Sequence, residues 1–154
     1  MVLKKDPLQI VSVIVILKCR DKLLLVRRKL DDDIFPGKWQ SLGGKIELGE
    51  TVEKAIEREV REEVGLTIFD KPSFIASYNW KKDANAAFRL GLIFLISLKG
   101  KTLRYKVKIN DELEGFKWFS FEELKEMEKK DMLIGKNHSL GTFGQIKKAL
   151  NLQK

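Results

Sequence analysis

The chain opens on an alternation that belongs to strands. Val, Ile and Leu crowd residues 9–18 and 22–28, and the polar pair Arg20-Asp21 between them predicts a β-hairpin. Residues 30–39 lose the alternation and carry Asp31, Asp32, Asp33, Pro36 and Gly37, so a loop is expected. Gly43-Gly44 marks a second flexible point. From residue 51 the period changes. Val52, Ala55, Ile56, Val60 and Val64 recur at helical spacing over 51–64, with Thr51 placed to cap the first turn, Glu53 inside it and Gly65 placed to stop the last.

Farther on, 73–80 and 87–97 read as strands, the second apolar enough throughout to lie inside a sheet. Residues 105–109 and 116–119 read as shorter strands. Helical spacing returns over 121–129 and 144–152, and Ser120 with Glu123 three residues later suggests a capping box on the first. Strands alternating with helices predict an α/β fold, a mixed β-sheet covered by helices. No repeat, linker or low-complexity tract interrupts 1–154, so one domain is expected.

Composition narrows the classes. At 154 residues, 44% hydrophobic and 34% charged, the chain can bury a sizeable core and is neither fibrous nor disordered. Cys19 is the one cysteine, which excludes an internal disulfide framework and a cysteine zinc site; a small buried strand residue is expected. His138, the one histidine, excludes a His-rich metal site and is placed in a loop before the last helix. The apolar stretch 11–17 is broken by Ser12 and falls far short of the roughly 20 residues of a membrane span. Lys18, Cys19 and Arg20 follow it, not a signal-peptide cleavage site, so a cytoplasmic location away from membranes is expected.

The net charge of +8 is unevenly spread: residues 44–66 hold seven acids and four bases, a local −3, which leaves +11 on the rest. A carboxylate cluster in a basic chain suits a divalent cation and a polyanionic substrate. Within that cluster Glu59, Glu62 and Glu63 stand at i, i+3 and i+4, on one face of one helical turn. Such like charges cost an isolated helix a few tenths of a kcal/mol per pair, about 0.2–0.5. Two readings follow from spacing alone. The carboxylates are either a solvated face relieved by Arg58 and Arg61, or oxygen donors for a hard divalent cation.

The flanking residues separate the two. Gly44, Glu50 after five residues, Arg58-Glu59-Val60 after seven more, then Glu62-Glu63, Gly65 and Leu66 together resemble the Nudix box of nucleotide pyrophosphohydrolases. All seven fixed Gly, Glu and Arg positions match, as do both aliphatic ones, a coincidence on the order of 10⁻⁷ per register from residue frequencies. The resemblance implies a Nudix-type α/β/α sandwich with a loop–helix–loop catalytic motif, and hydrolysis of a nucleoside diphosphate linked to another group. It implies Mg²⁺ as cofactor, with Mn²⁺ as an alternative, held by Glu59, Glu62 and Glu63 with the Gly44 carbonyl. Glu50 would stand behind these ligands or bind a further metal. Arg58 would hold a catalytic carboxylate by a bidentate bond. Gly43 and Gly44 would let backbone approach metal and phosphate. The general base would be Glu62 or Glu63, with Glu112, in the acidic loop 110–114, as a rival.

Substrate choice rests on less. Residues 39–45 resemble the segment that leads into the box in purine nucleoside triphosphatases that clear damaged nucleotides. Trp39 would stack on a base or cover the sheet, and Gln40 would hydrogen-bond a base edge. Tyr78, Trp80 and Phe88 are further stacking candidates, or packing residues. Arg27, Arg28, Lys29 and Lys45 would meet a triphosphate or be solvated. The expected reaction is a nucleoside triphosphate, oxidised purines included, to monophosphate and pyrophosphate. ADP-ribose and dinucleoside polyphosphate hydrolysis are alternatives, though the expected proline and tyrosine markers are absent after the box. RNA 5′-end pyrophosphohydrolysis and a non-catalytic nucleotide-binding module are further ones. No RNA-binding motif is visible, so the expected partner is a small nucleotide and not a nucleic acid, with the chain a monomer or homodimer. Gly37 to Lys45 superficially evokes a P-loop, but Trp39 and Ile46 occupy positions where that motif needs Gly and Ser or Thr.

Overall fold

The computed structural model describes residues 8–152. Strands β1 (Ile10–Cys19) and β2 (Lys22–Arg28) form the expected hairpin, but pair only near its turn, Leu17 to Cys19 against Leu24 to Lys22. Beyond that the two strands diverge, and the chain returns to fill the fork. β3 (Trp39–Gln40) pairs with β2, and β4 (Leu42–Lys45) pairs with the first half of β1. The other edge of β1 is taken along its whole length by β6 (Arg89–Leu98), in parallel, and β6 in turn pairs antiparallel with β5 (Ser73–Trp80). β7 (Leu113–Ser120) covers the far edge of β2, which completes a mixed seven-stranded sheet.

Helices cover both faces, as the period-2 patterning of the strands requires. Val13, Val15, Leu17 and Cys19 of β1, with Leu24 and Val26 of β2, pack against α1 (Val52–Val64). The intervening residues Ile16, Leu23 and Leu25 face α2 (Phe121–Lys129) and α3 (Thr142–Asn151). Burying Ile56, Val60 and Val64 contributes roughly 1.5–3 kcal/mol apiece and fixes α1 on the sheet. Its ends are where the sequence puts them. The Thr51 hydroxyl accepts from the Lys54 N–H at 3.2 Å, and Gly65 closes the helix in the left-handed region at φ 70. The Ser120–Glu123 capping box on α2 forms in both directions. His138 lies in the loop before α3, and Cys19 is buried in β1.

Three expectations differ. Residues 105–109 form no strand; a single 3₁₀ turn at Thr102–Arg104 leads into an extended loop whose amides are used elsewhere, as described below. Gly43-Gly44 is not a flexible point but the middle of β4, held in register against Val13 and Ile14. The last helix starts at Thr142, two residues early, because the Gln145 side chain ties its first turn to the Leu140 carbonyl at 2.8 Å. Among the described residues, no helix is long and apolar enough to cross a membrane.

Candidate active site

Along α1, residues four apart stack in rows. One buried row is Ile56, Val60, Val64; beside it runs Ala55, Glu59, Glu63, also buried. Two carboxylates therefore occupy positions that the helical pattern assigns to core, and Glu62 stands beside them at the exposed rim. Space for them comes from the facing strand. A side chain at position 44 would bring its Cβ closer than 3.0 Å to the Glu59 carboxylate, so the glycine there is what admits Glu59. The Gly43 N–H donates to Glu63 Oε1 at 3.0 Å.

Arg58 organises the outer side of the cluster. Its Nε and Nη2 hold Glu50 bidentately at 2.7 and 2.9 Å, Nη1 donates to Glu59 at 2.7 Å and to Glu62 at 3.2 Å, and Nη2 also reaches the Lys45 carbonyl at 2.9 Å. The bidentate bond thus goes to Glu50, with single bonds to the two helix carboxylates. That pairing, with the Glu47 N–H, holds the Glu50 carboxyl at about 2. Glu63 is driven the opposite way. Burial pushes its carboxyl well above the usual range, the nearby Glu59 and Glu112 charges add to this, and the Gly43 N–H only partly opposes it.

The loop after the 3₁₀ turn completes the site. The Lys108 N–H donates to the Val64 carbonyl at 2.9 Å and the Asn110 N–H to the Glu63 carbonyl at 3.3 Å, which satisfies carbonyls that α1 leaves open at its C-terminus. The Asn110 Oδ1 then accepts from the Glu112 N–H at 3.0 Å. Glu112 reaches the carboxylates by this route, and its own side chain has no hydrogen-bond or ion-pair partner among the described residues.

The result is a cleft of about 260 Å³ lined by Glu59, Glu62, Glu63 and Glu112 on one side and by Gln40, Gly43 and Gly44 on another. Arg28 and Asp32 also line it. They form an ion pair at 2.9 Å, and the Ile34 N–H and Arg28 together hold the Asp32 carboxyl below the usual range. Asp32 and Asn110 were not visible as site residues. The one signal was the Arg28–Asp32 spacing, which is informative only once the loop is known to fold back over the strand.

Two expected substrate contacts lie elsewhere. Trp39 does not line the cleft; it packs edge-on against Phe119, with ring centroids 5.1 Å apart, among the side chains that face α2 and α3. The Lys45 side chain is exposed, and only its carbonyl joins the network. A larger cavity of about 590 Å³, beside α3 and lined by Glu128, His138, Phe143 and Lys147, contains none of the expected site residues.

Among the described residues, no three acidic, histidine or cysteine side chains are already closed around one point as a finished metal cage. Glu59 and Glu62 share Arg58 Nη1, and the Gly43 N–H holds Glu63. The donor set nevertheless fits a divalent cation by its chemistry. Carboxylates and a backbone carbonyl are hard oxygen donors, and a buried Glu63 crowded by Glu59 and Glu112 is the environment that a cation neutralises.

Comparison with known proteins identifies the family. The NUDIX domain family matches residues 7–137. A nucleoside triphosphatase, NudI, from Escherichia coli is 33% identical over 105 residues, 66% of this chain and 74% of its own. Among solved structures, a MutT protein from Methanosarcina mazei superposes with a TM-score of 0.71 at 21% identity, over 98% of this chain and 100% of that one. The NUDIX domain of Shewanella oneidensis NrtR, solved with ADP ribose, superposes with a TM-score of 0.70 at 18% identity, over 94% of this chain and 90% of that one. A family match across most of the chain, with an unbroken box folded into one carboxylate cleft, leads to a single conclusion: this chain belongs to the Nudix family and is a hydrolase of phosphoanhydride bonds.

Proposed function

We propose that this chain is a Mg²⁺-dependent nucleoside triphosphate pyrophosphatase, one domain over 1–154 that acts on a small nucleotide in the cytoplasm. The observation that carries the reading is the cleft itself, where Glu59, Glu62, Glu63 and Glu112 converge against a glycine strand in a basic chain. The nucleoside triphosphatase relative at 33% identity supports the substrate class.

Glu59, Glu62 and Glu63, with the Gly44 carbonyl, would hold the cation. When bound, Mg²⁺ supplies charge neutralisation on phosphate oxygens and acidifies a water. Arg58 keeps Glu59 and Glu62 aimed and stays clear of the substrate, its donors being taken by Glu50, Glu59, Glu62 and Lys45. Glu112, the acid with no partner of its own, accepts the proton of the attacking water. Arg28, which also lines the cleft and is fixed by Asp32, binds phosphate oxygens of the substrate. Gln40 lies beside them and orients the nucleoside.

The test is a substrate screen that reads phosphate and pyrophosphate release with Mg²⁺ and with an EDTA blank. The panel contains nucleoside triphosphates, oxidised purines included, together with ADP-ribose, dinucleoside polyphosphates and triphosphorylated RNA. EDTA-sensitive release of pyrophosphate from triphosphates above the rest is expected. Preference for another member of the panel overturns the substrate class and leaves the hydrolase.

A further inference from the structure

The larger cavity holds an acid that nothing in the fold explains. Its wall is made by Glu128 of α2, the 137–139 turn and one side of α3, and it shares no residue with the carboxylate cleft. Glu128 is only 9% exposed. Its Oε1 has no hydrogen-bond partner, and its Oε2 accepts the Asn137 N–H at a long 3.4 Å. Buried polar groups are normally satisfied, and a buried carboxylate left this open is costly. The rest of the wall has the opposite character. Lys147 and Lys148 line the cavity, and neither has an ion pair among the described residues. His138 lines it too; its Nδ1 accepts the Leu140 N–H at 3.1 Å, which leaves Nε2 to donate.

From this we infer that the cavity is a second nucleotide site, separate from the hydrolytic cleft and selective for a guanine base. A carboxylate is best matched by a planar group with two N–H donors side by side, which give two parallel bonds. Guanine is the base with such an edge. Adenine and cytosine set an acceptor beside the donor, and uracil flanks its donor with two. Lys147 and Lys148 then meet the phosphate, and the volume of about 590 Å³ lies within the usual range for small-molecule sites. Oε1 is enclosed, so the base enters as the 135–139 turn gives way. That turn meets α2 through two long bonds, Asn137 N–H to Glu128 and Lys136 Nζ to the Lys129 carbonyl at 3.3 Å. Its shorter backbone bonds, His138 N–H to Gly135 and Gly141 N–H to His138, both at 3.0 Å, do not involve α2.

Guanosine monophosphate titrated in EDTA, followed by NMR amide shifts, tests the site without turnover. Shifts are expected at 137–139 and 147–151. A bidentate contact discriminates between bases by about tenfold or more, so adenosine monophosphate is expected to bind at least that much more weakly. Glu128→Gln keeps the shape of the side chain, removes a buried charge and is expected to melt at or above the wild-type temperature. It should lose about tenfold in guanosine monophosphate affinity and turn the preference toward adenine, whose donor and acceptor an amide matches. Lys147→Ala combined with Lys148→Ala should lower guanosine monophosphate affinity toward that of guanosine. Shifts confined to Gln40, Gly43 and Gly44 overturn the second site, and so does an absence of binding. Equal affinity for the two monophosphates, or a Glu128→Gln variant that binds them as the wild type does, overturns the guanine selectivity and with it the role of Glu128. None of these outcomes depends on which substrate the cleft hydrolyses.

Discussion

Glu59 occupies the space that a side chain on residue 44 would need. The carboxylate and the glycine Cα face each other across the gap between α1 and β4, and a methyl group on Gly44 would collide with all three atoms of the carboxyl group. At the neighbouring Gly43 the obstacle is different: the same methyl group would meet the Val13 carbonyl oxygen, part of the sheet itself. Two adjacent glycines are thus required for unrelated reasons, one for the site and one for the strand.

The Gly44→Ala and Gly43→Ala substitutions should therefore fail differently. In Gly44→Ala the far end of a side chain gives way, so the melting temperature is expected to hold within a few degrees, about 1 kcal/mol. Turnover is expected to fall about a hundredfold, because a misplacement near 1 Å carries that cost. In Gly43→Ala backbone must move against backbone, and a stability loss of about 1–3 kcal/mol or more is expected. Thermal melts and turnover measured on both variants check this. Equal destabilisation of the two would show that Glu59 is not free to yield.

Trp39 gives the opposite forecast from a substrate-stacking residue. It fills a corner against Phe119, and its backbone exchanges hydrogen bonds with the 132–134 segment, the Trp39 N–H to Met132 at 2.9 Å and the Ile134 N–H to Trp39 at 3.2 Å. Trp39→Ala is expected to cost about 3 kcal/mol, the low end for a buried aromatic since Trp39 is only half-buried. The KM of the folded fraction should stay near that of the wild type. Denaturant melts with parallel kinetics decide the point; a raised KM with unchanged stability would return Trp39 to the substrate.

Much of this was legible because the relevant information was local. Thr51, the apolar spacing of α1 and Gly65 define one helix without reference to anything outside it, and the spacing of Glu59, Glu62 and Glu63 on it places three acids together. The Glu112 loop was legible only as a candidate, since what brings it to the site is backbone bonding of Lys108 and Asn110 to the end of α1. The segment 105–109 forms no strand despite its alternation: the Tyr105 amide closes the 3₁₀ turn and the Lys108 amide serves the end of α1. β4 was hidden by its glycines and β3 by its two-residue length, and both fill a fork between β1 and β2 that no local pattern announces. Trp80 was legible as an aromatic candidate, but its contact with Phe35, 45 positions away, was not.

The α2 capping box carries a pH dependence. The Glu123 carboxyl is held below its usual range, first by the Ser120 N–H and also by Lys117. A depressed carboxyl pKa means stability that is complete above the ordinary value near 4.5 and is lost as pH falls through the lower folded value. Glu123 is 41% exposed, so solvent screens much of its charge and the capping bonds dominate. Ser120→Ala is expected to cost about 1 kcal/mol at neutral pH. The gap in melting temperature between wild type and Glu123→Gln should be open at pH 6–7 and close in acid below about 4.5. A gap that widened in acid would place the interaction on the wrong side of the titration.

Cation binding can be read without substrate. Anything that binds the folded chain and not the unfolded one stabilises it, by about 1.4 kcal/mol at ten times its dissociation constant. For a domain of this size that corresponds to a rise of about 3–6 °C in melting temperature. Mg²⁺ titrated into the wild type should produce such a rise and EDTA should reverse it, since a cation relieves the crowding of Glu63 by Glu59 and Glu112. Glu63→Gln removes a buried charge while preserving shape and the hydrogen bond from Gly43, so it is expected to fold, to show little of the Mg²⁺ response, and to lose several orders of magnitude in kcat. Glu62→Gln should lose kcat as deeply. Ca²⁺ provides a further control, because it offers the same charge to oxygen donors with looser geometry; it should stabilise the wild type without supporting turnover. Near-wild-type turnover in both glutamine variants would remove these residues from the site.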